Sequence, residues 1–124
     1  MKRLIAAAVL TIVIGILYFS GFFIIDNACK NADIMLNECI NAYNSEKNAE
    51  KKAENLEDYW AEKEKILSVF ANHSDIDKIE MAIGILKVYS KTNEKEMFNE
   101  YHQTVKILIH QLKEDTVPAV HSIF

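Results

Sequence analysis

Hydrophobic residues are distributed in two different ways along this chain. From Leu4 to Ile25 there are 22 consecutive uncharged residues, most of them Ile, Leu, Val, Phe or Ala. After Asp26 the apolar residues recur three and four positions apart on a polar background, the spacing of amphipathic helices. The first such stripe is Ala28, Ala32, Met35, Leu36, Cys39, Ile40 and Tyr43, which predicts a helix over about 26–43. No Pro or Gly separates it from the apolar run, so the two are expected to join. Asn44-Ser45 then interrupts the pattern, and a second helix is predicted over about 46–71 with Ala53, Leu56, Trp60, Ile66, Leu67 and Phe70 facing inward. Lys63 breaks what would otherwise be a coiled-coil seam of about two and a half heptads. Ser74 reads as the N-cap of a third helix over about 75–91, carrying Ile76, Ile79, Ala82, Ile83, Leu86 and Tyr89. Asn93 with Glu96 has the form of a capping box for a fourth helix over about 94–114, buried through Phe98, Tyr101, Val105, Leu108 and Leu112. Pro118 is expected to end it, leaving an apolar tail from Val120 to Phe124 that folds back on the bundle.

As a helix, the uncharged run extends about 33 Å, enough to cross a hydrocarbon core of about 30 Å. It is too long for the apolar region of a cleaved signal peptide. A lipoprotein cut before Cys29 would place the charge of Asp26 where an aliphatic residue is wanted. The expected organisation is a cytoplasmic basic stub (1–3), a transmembrane anchor (4–25) and a bundle (26–124). Lys2 and Arg3 before the run place the N-terminus inside and the bundle outside the cell membrane. Tyr18, Phe19, Phe22 and Phe23 suit the far interface of the lipid bilayer. Ala7, Thr11 and Gly15 lie every four residues on one face, a spacing that lets a second anchor approach closely in a homodimer. The fold class is therefore all-α: an N-terminal transmembrane helix followed by a small extracytoplasmic bundle of three to four antiparallel helices.

Charge and candidate chemistry narrow the reading. Residues 1–25 sum to +2 and the remainder, with 12 basic and 18 acidic residues, to −6. An acidic body excludes nucleic acid as a partner. Cys29 and Cys39 are too far apart on one helix to bond to each other. No two histidines stand four apart, and no zinc, phosphate-loop or nucleophile motif is present, so no metal, cofactor or catalytic set is expected. Asp75, Asp77 and Glu80 complement a helix N-terminus.

Lys2-Arg3 before a single span, Trp60 ten residues ahead of Phe70, the run His73-Ser74-Asp75-Ile76-Asp77-Lys78-Ile79-Glu80, and a terminal Ile123-Phe124 together resemble domain-of-unknown-function family 4363. The resemblance covers the whole chain, and His-x-x-Ile-Asp-x-Ile-Glu is its most specific part. It implies a bacterial single-pass membrane protein encoded beside multi-pass membrane proteins, and it brings no activity with it. Trp60, Phe70, His73, Ile76, Asp77, Ile79, Glu80, Ile123 and Phe124 are thus the candidate interaction or structural motif.

The expected function is a non-catalytic accessory subunit docking an integral membrane protein or envelope complex. One alternative is a ligand-binding or sensing ectodomain with a pocket of Trp60, His73, Asp77 and Glu80. The other is a division-type bitopic coiled coil.

Overall fold

Four helices follow one another in the computed structural model, which describes the backbone of residues 1–123 and the side chains of residues 1–115. They are α1 (Lys2–Asn44), α2 (Ala49–Phe70), α3 (His73–Tyr89) and α4 (Lys95–Ile123), with no strand among the described residues. Each helix packs on its neighbour in sequence and α1 closes the ring against α4, an up-down-up-down bundle with α1/α3 and α2/α4 on the diagonals.

α1 is one unbroken helix of 43 residues, about 64 Å long. It is the one described helix long and apolar enough to cross a membrane, and its first half stands clear of the bundle. Gly21 is the first buried residue, followed by Ile25, Ala28, Cys29, Ala32, Leu36 and Cys39. That face is built largely from small side chains, so large ones on the other helices can fill the centre: Trp60, Leu56, Leu67, Phe98, Ile76 and Ile83 are fully buried. Gly21 itself answers a close approach, because a Cβ there would collide with the Phe70 ring at the end of α2. Phe70 thus closes the base of the bundle against α1.

Polar contacts bridge three of the packed antiparallel pairs. Asn31 donates to the Tyr59 hydroxyl at 3.1 Å and Lys52 meets Glu38 at 3.9 Å between α1 and α2. Lys87 pairs with Glu57 at 3.1 Å and Lys91 with Glu50 at 3.3 Å between α2 and α3. Lys113 reaches Asp26 at 3.3 Å between α4 and α1. At the distal end, Tyr43 stacks on Phe98 with ring centroids 3.8 Å apart and donates its hydroxyl to the Thr92 carbonyl at 3.0 Å.

Several expectations are corrected. The last turn of the expected anchor, Gly21 to Ile25, already belongs to the bundle. α2 starts at Ala49 rather than residue 46, because Glu46 and Asn48 adopt left-handed backbone conformations with φ of 56° and 39°. α3 starts at His73, since the Asn72 side chain, not Ser74, caps it by accepting from the Ser74 N–H at 3.0 Å. At the start of α4 the Thr92 hydroxyl accepts from the Glu94 N–H at 3.3 Å, with no side-chain cap from Asn93. α4 continues through Pro118 to Ile123, because a proline deletes one intrahelical bond without having to end a helix. Ile66, expected inside, is 43 % exposed with Val69 beside it at 73 %. The expected fold-back of the tail, Phe124 and the side chain of Ile123 lie outside the described residues.

Candidate functional site

The loop between α2 and α3 is only Ala71 and Asn72, and both are extended (φ −128°, ψ 166° and φ −67°, ψ 124°). So tight a reversal sets the first turn of α3 against the last turns of α2. His73, the first residue of α3, reaches back to Ser68, with Nδ1 3.2 Å from Oγ. Its other nitrogen, Nε2, lies 3.5 Å from Asp77 Oδ2 one turn along the same helix. Glu64 enters from α2, so that ligand-type atoms of Glu64, His73 and Asp77 all lie within 4.8 Å of one another. Partial desolvation, then the charges of Glu80 and Asp77 and a side-chain hydrogen bond with Asp77, push the Glu64 carboxyl above its ordinary value, against a weaker opposing pull from His73. Among the described residues no lysine or arginine forms an ion pair with Glu64, Asp77 or Glu80. The corner is a solvent-facing cluster of acceptors with an excess of negative charge.

The sequence motif divides between this corner and the core. His73 and Asp77 meet, and Glu80 acts on the neighbouring Glu64 through its charge. Ile76 and Ile79 are buried core residues on the other face of α3, and Phe70 packs on Gly21. Trp60 is fully buried and donates its indole N–H to the Ile76 carbonyl at 3.2 Å, so it cannot line a pocket with His73. Glu64 was missing from the sequence reading. Its signal is a pair of helical faces flanking the short loop, Glu64 with Ser68 on one side and His73 with Asp77 on the other, each four residues apart.

Two further groups are chemically unusual. His102 is 3 % exposed, and neither ring nitrogen has a hydrogen-bond partner. Burial, then the Lys106 ammonium, holds its pKa below the ordinary histidine value, against weaker opposing pulls from the Leu36 carbonyl and Asp33. The carbonyl is near enough to act on the ring but completes no hydrogen bond of sound geometry. Cys29 is a buried core residue whose pKa burial lifts to about 12. Cys39 is buried likewise, with a pKa of about 11. Both thiols are protonated and enclosed, which makes neither a nucleophile nor a route to a disulfide-linked dimer.

Residues 19–123 match the family described as Domain of unknown function (DUF4363). The chain belongs to that family. The DUF4363 match begins at Phe19, two residues before α1 enters the bundle at Gly21, so it covers the four packed helices and leaves out most of the apolar segment. It includes the whole α2–α3 corner. No curated protein and no solved structure matches the chain.

Proposed function

We propose that this DUF4363 protein is a single-pass membrane protein, its bundle seated on the outer bilayer surface as a non-catalytic docking subunit for an integral membrane protein. The observation that carries this reading is the continuity of α1, apolar and uncovered at one end and a core helix of the bundle at the other. A helix without a break transmits tilt and rotation, so whatever packs against the span also orients the bundle. Seventeen residues, Leu4–Ser20, precede the first buried residue, with the Tyr18 hydroxyl already covered beside Phe70; they extend about 26 Å, slightly less than a hydrocarbon core of about 30 Å. The base of the bundle therefore meets the headgroup layer. Ile66 and Val69, exposed on the last turns of α2 at that end, suit such a surface. Lys2 and Arg3 orient the span with the bundle outside. A rod-like coiled coil is disfavoured because α2, α3 and α4 fold back alongside α1.

The test is crosslinking of the full-length protein in native membranes, affinity recovery and mass spectrometry. The expected result is one dominant, stoichiometric integral membrane protein. Recovery of the chain alone contradicts the proposal. A self-crosslinked dimer abolished by Gly15→Leu would replace it with pairing through the Ala7, Thr11 and Gly15 face.

A further inference from the structure

The corner between α2 and α3 holds its acceptors in an arrangement that a proton balance makes specific. Ser68 donates its single hydroxyl proton to the Glu64 carbonyl at 2.7 Å. Having spent that proton, its oxygen can only accept from His73, so the contact at 3.2 Å requires the hydrogen of a neutral ring to sit on Nδ1. The lone pair of Nε2 then points at the Asp77 carboxylate, with Glu64 beside it. With both carboxylates ionised these three acceptors repel one another, unless a proton shared between Glu64 and Asp77 or something positive beside Nε2 lies between them.

Two species can fill that position, a proton on Nε2 or a metal cation. The spacing of the one close pair suits the cation better. A charged N–H···O bond closes to about 2.7–2.9 Å, whereas Nε2 and Oδ2 stand 3.5 Å apart. Two ligands about 2.0–2.2 Å from a tetrahedral zinc ion are separated by about 3.4 Å. We propose that Glu64, His73 and Asp77 bind a divalent transition cation, zinc by preference, with water completing the shell. One imidazole with two carboxylates suits zinc, whereas calcium and magnesium favour an all-oxygen set. Ser68 is the positioning residue, fixing the tautomer and aiming Nε2 as outer partners of metal-bound histidines do. The positive end of the α3 dipole opposes the cation with roughly half a charge, against full charges on Glu64, Asp77 and the neighbouring Glu80. With ligands on both α2 and α3, the ion ties the two helices together at the base of the bundle.

This inference is independent of the docking reading, because it concerns purified protein without a partner. The experiment is calorimetric titration of zinc chloride into chelator-stripped full-length protein in detergent, together with thermal melts. One zinc per chain and a raised Tm are expected. His73→Gln and Asp77→Asn should each weaken binding at least about tenfold, and Ser68→Ala about tenfold while leaving the stoichiometry at one. His110 provides the control. It forms the same kind of exposed pair with Glu114 at 3.0 Å, but among the described residues no third ligand joins it. His110→Gln should therefore leave the affinity unchanged. All four residues are on the surface, so unchanged helical circular dichroism separates lost ligands from lost fold. Absence of saturable zinc binding overturns the proposal, as does binding that survives His73→Gln or falls equally with His110→Gln.

Discussion

Trp60→Ala is expected to lower the unfolding free energy of the bundle by about 3–5 kcal/mol. Trp60 is the largest fully buried side chain, and it joins α2 to α3 by its indole N–H bond to the Ile76 carbonyl. Truncation loses that bond and opens a cavity among helices that can collapse only in part. Domains of this kind are stable by about 5–15 kcal/mol, so the variant loses a large share of the total. The apparent Tm should fall by about 12 °C or more. Trp60→Phe keeps most of the volume and should cost less than half as much. Denaturant unfolding in detergent, followed by far-ultraviolet circular dichroism, measures both. A loss below about 1 kcal/mol for Trp60→Ala would mean that the core is not packed as described.

His102→Leu should stabilise the same bundle, by about 1–3 kcal/mol, because it replaces a buried, unpaired polar ring with an apolar side chain of similar size. The wild-type protein should also be acid-sensitive. The folded pKa of His102 is depressed, so the unfolded chain takes up the proton first as pH falls. Stability from this group is fully present above the unfolded value of about 6.5 and is lost as pH drops from there towards the lower folded value. Within that window the slope reaches at most about 1.4 kcal/mol per pH unit. Lys106 steepens the effect and Asp33 softens it. Unfolding curves between pH 7.5 and 5 check the sign: the wild type weakens on acidification, and His102→Leu starts higher with a shallower acid limb. A variant that is less stable at pH 7.5, or equally acid-sensitive, contradicts this account.

The architecture was largely legible in the sequence because its periodicity is strong. The stripes 76, 79, 82, 83 and 86, and 98, 105 and 112, are buried as their spacing predicts. Helix ends were less legible, for physical reasons. The left-handed conformations at Glu46 and Asn48 are set by how α1 must turn into α2, and local sequence does not announce them. Ile66 is apolar but sits about 100° around the helix from Leu67, off the buried stripe of Ala53, Leu56, Trp60 and Leu67. His102 was passed over because histidine counts as polar in a pattern, although it occupies a core position between Phe98 and Val105. At the corner, His73 and Asp77 could be read as helical neighbours. Glu64 was missed, because its four-residue pairing with Ser68 marks the site only once the two-residue loop sets α2 against α3.

The central claim is that one rigid helix carries the chain from the bilayer into the bundle. Its most direct test is a nitroxide scan of positions 5–32 in full-length protein in lipid bilayers, on a background of Cys29→Ala and Cys39→Ala. The account predicts that residues 5–17 are open to oxygen and closed to a water-soluble nickel chelate on every face. From Gly21 onward, protection should recur with helical period and deepen at Ile25, Ala28 and Ala32, with no interruption between the two regimes. Chelate access throughout 5–17, or loss of helical periodicity between 18 and 28, would show that the apolar segment and the bundle are not one membrane-tethered rod.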